Sequence, residues 1–306
     1  MKAKSGRVRS APMRGRRVLV TGGAGFIGSH LVDALLAAGA SVRILDDLDT
    51  GSSTHVPAQA EFLCGDVADE STLTGALDGI DLVYHLAAIA SVPRCEAEPV
   101  RSEAVNLAAV RTLVERADVP VVFASSAAIY GVPQTTSVAE EHPIAPLGRY
   151  GEQKAAADAL ICEAGHVAMR FFNVYGARQN PSSPYAGVLS IFCERAREDG
   201  GLVLFGDGEQ TRDFIHVSDV VEALLATGAN FDSMGGCAYN VCTGSAHSLL
   251  EVAEMLRGLT GAALPIDFQP ARAGDIRHSL GDPGALRGAL GWSAEVALKD
   301  GLADLL

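Results

Sequence analysis

With 306 residues, 48% of them hydrophobic and 20% charged, the chain is long enough for one large or two smaller domains and has the balance of a folded globular protein. Nothing approaches the roughly 18 consecutive apolar residues of a membrane span, so no membrane partner is expected. The net charge is −13, and residues 1–17 hold seven basic residues and no acid, which leaves −20 on the remainder and argues against nucleic acid. Six cysteines (Cys64, Cys95, Cys162, Cys193, Cys237, Cys242) form no CxxC and no metal-ligand spacing. Without a secretory apolar segment they read as reduced thiols of a cytoplasmic protein with no metal site.

Taken in chain order, residues 1–15 read as a disordered basic extension, with an organelle transit segment as the weaker alternative. RRVLVT (16–21) is a buried strand, and GFIGSHLVDALLAAG (25–39) a helix closed by glycine. SVRILD (41–46), AEFLCGD (60–66) and DLVYHLA (81–87) are further strands. A helix near 100–117 leads to VPVVFAS (119–125), a helix covers 150–164, and HVAMRFF (166–172) is another strand. Alternation of this kind predicts an α/β fold, a Rossmann-like doubly wound parallel sheet. Beyond about residue 175 the pattern loosens, with helices expected at 216–228 and 248–261. The expected division is a dinucleotide-binding domain over 16–175 and a smaller α+β substrate-binding portion over 176–306, with strand and helix exchange between them.

Gly22, Gly25 and Gly28 in VLVTGGAGFIGSHL lie between a strand and a helix. Glycines there permit a tight turn and let backbone N–H groups approach a pyrophosphate at the helix N-terminus. Eighteen residues after Gly28, Asp46 ends the second strand, where a carboxylate accepts hydrogen bonds from an adenosine ribose and repels a 2′-phosphate. NAD is therefore favoured over NADP. Asp66 and Val67, after the third strand, are candidates for the adenine edge.

Tyr150 and Lys154 stand four apart on a predicted helix and so share a face. A phenol of ordinary pKa about 10 is a poor base at neutral pH. Bringing it near 7 takes about 4 kcal/mol of differential interaction, which a lysine ammonium and a second cation can supply. Ser126 lies 24 residues earlier at a strand end, and these three are the candidate catalytic residues.

Together with TGGAGFIGSH, DDLDTG, GDV, HLAA, SSAAIYG, YGEQK, RFFNVYG, FGDGEQTRDFIHVSDV and ARAGDIRHS, these residues resemble the extended short-chain dehydrogenase/reductase family, in its nucleotide-sugar branch. The match runs from about Arg16 to the C-terminus. The resemblance implies Tyr150 as base, Lys154 on the nicotinamide ribose and Ser126 on the reacting hydroxyl. It extends the NAD contacts to Phe26, Ile27, Asp47, Leu48, Gly51, Leu86, Ala87, Ala88 and Phe172. For the nucleotide sugar it implies Asn173, Val188, Val203, Phe205, Arg212, Arg272, Asp275 and Ser279. Arg212 and Arg272 also suit a diphosphate on chemical grounds, as forked cations in an acidic chain. A homodimer through the helices near 100–117 and 150–164 is implied as well. Gln153 departs from the usual YxxSK pattern.

Within the branch, dehydratases and decarboxylases carry acidic residues after the catalytic serine or threonine. Here Ala127 and Ala128 follow, and neither gives nor takes a proton. What remains is hydride removal at C4, rotation of the 4-keto sugar and hydride return, which is a UDP-hexose 4-epimerase. The small Ser279 favours acceptance of acetamido sugars. A dehydratase or decarboxylase, a hexuronate epimerase using Arg94, and a non-catalytic NAD(H) sensor stay open as alternatives.

Overall fold

A computed structural model describes residues 13–180, 187–198, 200–271 and 274–306. Its centre is a parallel sheet of seven strands. Six come from the first half: β1 (Arg17–Thr21), β2 (Ser41–Asp46), β3 (Glu61–Cys64), β4 (Leu82–His85), β5 (Val121–Ser126) and β6 (Val167–Phe171). β7 (Asn173–Tyr175), β8 (Leu202–Phe205) and β9 (Thr211–His216) follow, then β10 (Cys237–Val241), β11 (Ala246–Ser248), β12 (Ile266–Gln269) and β13 (His278–Ser279). The sheet order is β10-β6-β5-β4-β1-β2-β3, so the winding direction reverses between β1 and β4. At that switch the loops leaving neighbouring strands diverge and open a crevice at the carboxyl edge.

The strands are near-continuous apolar runs because helices cover both faces. Val18, Val20, Ile44, Leu82 and Tyr84 face one layer and Leu19, Leu45, Val83, Val121 and Phe123 the other, all essentially inaccessible to solvent. The helix Val217–Ala229, from the second half of the chain, packs on Phe26–Ala37 of the first, and β10 completes the sheet beside β6. A third apolar cluster joins the helices Val188–Arg197 and Leu249–Thr260 to Leu202, Leu204 and Phe214. There β9 is flanked by β11, β13 and β7, while β8 and β12 form a separate parallel pair.

Residues 13–15, expected to fall within the N-terminal extension, are packed into the fold. Met13 is buried in the core against the layer of Leu31, Leu35 and Val42, and the Gly15 N–H donates to Gly39 O at 3.1 Å. An unbranched apolar side chain fills the gap under the first helix, so residues 13–15 are part of the fold.

Candidate active site

The turn after β1 is shaped by close backbone approach. Gly22 has φ +69°, and a Cβ there would meet Ala87 N at 2.7 Å. A Cβ on Gly28 would lie 2.1 Å from Gly22 O, so this glycine lets the helix Phe26–Ala37 sit directly on the turn. Gly25 is different: its nearest obstacle is Gly22 O at 3.2 Å. It is the helix N-cap, and having no side chain it offers no cap, which leaves the first N–H groups of the helix open to an anion.

A cleft of about 420 Å³ runs from this turn across the carboxyl edge. Gly22, Gly25, Phe26, Ile27, Gly28, Asp46, Asp47, Asp66, Val67, Leu86, Ala87, Ala88, Ser126, Tyr150, Lys154 and Phe172 all line it. Leu48 and Gly51 serve it indirectly. The Leu48 N–H donates to Asp46 Oδ1 at 2.8 Å, and a Cβ on Gly51 would come within 2.9 Å of that oxygen. Asp46 also accepts from Ala24 N at 3.0 Å, and burial raises its pKa above the ordinary carboxylate value. The glycine cradle, the open helix end and this oriented carboxylate fit a dinucleotide without a 2′-phosphate.

Ser126, Phe171 and Phe172 line both this cleft and a second cavity of about 270 Å³, so the two meet at the serine. The Ser126 hydroxyl faces the Tyr150 phenol and pulls its pKa down, while burial, the larger influence, pushes it up. Lys154 is fully buried, donates from Nζ to Ala124 O at 2.7 Å and lies over the Phe123 ring at 4.5 Å. Burial lowers its pKa to about 8. The lowering of the phenol expected from Lys154 is thus not expressed in the protein by itself. Burial dominates the phenol's shift, and the one lowering influence is the Ser126 hydroxyl.

Ser125, beside the catalytic candidate, turns the other way and donates to Asp158 at 2.6 Å. Asp158, one turn beyond Lys154, is held bidentately by Arg170, which also donates to Tyr130 Oη at 2.9 Å. Gln153, the departure in the YGEQK motif, is buried: its Nε2 donates to Ser102 Oγ and its Oε1 accepts from Asn106 Nδ2 at 2.9 Å. Asn106 sits in a π-helical stretch, Ala104–Ala108, and bonds both the N–H and the carbonyl of Ile89. Its environment forms only when two helices and a loop come together, which spacing in the sequence does not reveal.

The second cavity gathers Asn173, Arg212, Asp275 and Ser279 with Ala127 and Ala128. Register explains part of this, since Ser279 on β13 pairs with Arg212 on β9. Arg212 donates to Asp275 Oδ1 at 2.5 Å. Val188, Val203 and Phe205 are not among the described residues of that wall. Val203 and Phe205 alternate with the buried Leu202 and Leu204, which turns them to the outer side of β8. Arg272 lies outside the described residues. Arg94, considered for the sugar, is instead bonded to Asp49 and Glu98. Asp49 lines the dinucleotide cleft, so that guanidinium is committed away from the second cavity.

The model of the NAD dependent epimerase/dehydratase family matches residues 18–242. The chain belongs to that family. It is 37% identical to a UDP-glucose 4-epimerase of Mycolicibacterium smegmatis over 94% of its own length and 96% of the relative's. The structure of a Thermus thermophilus UDP-glucose 4-epimerase in complex with NAD superposes with a TM-score of 0.86 at 36% identity, covering 94% of this chain and 96% of that one. A UDP-N-acetylglucosamine 4-epimerase of Methanobrevibacter ruminantium, in complex with UDP-N-acetylmuramic acid, gives 0.88 at 31% identity and covers 95% and 97%. Family, fold, cofactor and enzyme class agree with the sequence reading: this is an NAD-dependent enzyme of the nucleotide-sugar 4-epimerase type. Among the described residues no helix is long and apolar enough to cross a membrane.

Proposed function

We propose that the enzyme inverts C4 of a UDP-hexose through a transient 4-keto sugar, with Tyr150 as the base and acid. One observation carries this reading. Among the described residues lining the second cavity, the only carboxylate is Asp275, and it is bonded to Arg212. Ala127 and Ala128 occupy the wall beside Ser126. A C5 proton therefore meets no unpaired carboxylate among the described residues of that wall, which disfavours dehydration and decarboxylation.

NAD, held by the glycine turn and Asp46 along the cleft, would supply the hydride acceptor and donor for C4. Tyr150 Oη takes the O4 proton, with Ser126 Oγ between the hydroxyl and the phenol. In the protein by itself burial holds the phenol protonated. With the cationic nicotinamide in place beside the Lys154 ammonium, both favouring phenolate, Tyr150 would take the O4 proton and the resulting phenol would return it. Lys154 has three donors, one of them committed to Ala124 O, and keeps two for the site. Arg212 and Asn173 hold the diphosphate end and Asp275 the nucleoside, while the sugar turns over between the two alanines and Ser279. With a serine at position 279, the cavity accommodates an acetamido group at C2 as well as a hydroxyl.

The experiment is incubation with UDP-GlcNAc and UDP-Glc, without added cofactor, followed by NMR. Epimeric mixtures are expected from both sugars. Loss of the 6-hydroxyl or of a carbon would overturn the reading. Tyr150→Phe is expected to lower kcat at least about 10³-fold, the upper part of the range for a lost acid–base group. Ser279→Tyr should raise KM for the acetamido sugar and spare the neutral one. We further propose a homodimer through the helices near 100–117 and 150–164, on or beside which Val92, Val100 and Leu147 are exposed. Sedimentation at micromolar concentration tests it, and a monomer would refute it.

A further inference from the structure

Arg101 was not singled out by any motif, yet it lines the dinucleotide cleft. Its Nη1 donates to Asp66 Oδ2 at 2.6 Å and its Nη2 to Asp47 Oδ2 at 3.1 Å. We propose that Arg101 is an adenine-binding residue, held by Asp47 and Asp66 as a flat cap over the adenosine end of the cleft. The proposal rests on the NAD site and not on the identity of the sugar.

Position comes first. Asp47 directly follows β2 and Asp66 lies two residues beyond β3, the two strands on the outer side of β1. Asp46, the ribose carboxylate, ends β2. A bridge from Asp47 to Asp66 therefore spans the cleft just beyond the ribose position, where the base of a dinucleotide must lie.

The tethers are oriented before the arginine arrives. The second oxygen of Asp47 accepts from Asp49 N at 3.0 Å, and that of Asp66 from Ala68 N at 2.8 Å. Each carboxylate thus turns one oxygen to Arg101. The short helix Val92–Ala97, just before the helix Pro99–Glu103 that carries Arg101, is fastened as well, since its Arg94 bonds Asp49 on the loop that follows β2. Two in-plane bonds fix the plane of a guanidinium and leave its faces free, and such a face stacks well on a purine. A plain surface ion pair is the competing account. Arg101, Asp47 and Asp66 are each about a third exposed, and pairs of that kind add little stability. Two oriented carboxylates converging on one cation at a cavity mouth serve positioning better than stability.

The bridge also bears on cofactor choice. Arginine near the adenosine ribose ordinarily attracts a 2′-phosphate. Here the outer nitrogens of the fork are engaged by Asp47 and Asp66, so the residue offers its face to the base and adds to the preference set by Asp46.

The test uses the full chain freed of cofactor, with calorimetric titration of ADP-ribose and of nicotinamide mononucleotide. Arg101→Ala is expected to weaken ADP-ribose about ten-fold, as loss of one stacking partner does, and to leave nicotinamide mononucleotide within two-fold. Unchanged ADP-ribose affinity would overturn the proposal, and so would an equal loss for both ligands, which marks general loosening. Arg101→Lys keeps the charge without the plane and should behave like the alanine variant; full retention by lysine would refute stacking. Should the alanine variant not fold, Arg101→Gln is read in the same way. Neither ligand contains the substrate sugar, so a wrong assignment of the reaction leaves this result intact.

Discussion

Lys154, which lines the dinucleotide cleft, is a residue costly to the fold. Burial lowers its pKa to about 8, against the ordinary 10.5 of the unfolded chain. Between those values the unfolded chain binds the proton and the folded one does not, so stability rises with pH across that window. Below pH 8 the folded protein bears the whole cost of a buried ammonium, of order 3 kcal/mol before the bond to Ala124 O is set against it. Lys154→Met, in cofactor-free protein, should therefore be about 2 kcal/mol more stable than the parent at pH 7 and lose that advantage by pH 10. Urea unfolding at the two pH values measures it, and a constant difference would show that the lysine is not desolvated. Ser126, Tyr150 and Lys154 were legible in the sequence because strand end, helix and i,i+4 spacing place them by local geometry. Arg101 and Asp158 were not. The partners of Arg101 are 35 and 54 residues away, and those of Asp158 are 12 and 33, distances that only folding closes.

The turn after β1 is an element whose three glycines do different work, and substitution should separate them. Alanine at Gly28 places a methyl 2.1 Å from a backbone oxygen that cannot move without shifting the helix. Gly28→Ala should cost about 2–3 kcal/mol or more, as overpacking does, and its unfolding transition should fall accordingly. At Gly25 the protein leaves room, but the added methyl stands at the open helix end. Gly25→Ala should unfold with the parent's free energy to within about 1 kcal/mol and release NAD during gel filtration. Equal stability of the two variants would mean that the close helix–turn contact is unimportant. The helix Gly148–Glu163 adds a second lesson. Gln153 looked like a departure from the motif, yet it faces inward and joins Asn106 and Ser102 of the neighbouring helical run. The periodicity read correctly as a helix. What the inward polar position was for depended on a partner 47 residues earlier.

At the scale of the molecule, the chain's second half completes the first. β10 closes the sheet, and Asn240 on it receives the Tyr130 hydroxyl at 2.7 Å and donates to Val138 O at 2.9 Å. Asp213, fully buried on β9, accepts from Thr243 N and Oγ1, Gly244 N and Gly281 N, and so ties together three segments behind the second cavity. Gly281 follows Ser279 by two residues and lies against Phe172, so that tie sets where the wall of the cavity stands. Asp213→Asn leaves donors facing an amide, at about 1–3 kcal/mol for each one unsatisfied. It should lower the unfolding free energy and raise KM for the nucleotide sugar more than it lowers kcat. A fall in kcat with KM unchanged would point to the reacting groups instead. The sequence by itself determined the alternating α/β layout and the glycine turn with an acid at the end of β2, since these follow from patterning and spacing over a few tens of residues. It marked Ser126, Tyr150, Lys154 and the alanine pair as candidates through the resemblance. Tertiary structure alone decided that residues 13–15 belong to the fold, that Arg94 is spent on Asp49, that Arg101 bridges Asp47 and Asp66, and that Arg212 shares its wall with Asp275 and Ser279. Those outcomes depend on which loops and strand ends the sheet order brings face to face, and residues distant in sequence acquire partners only when the chain has closed around them.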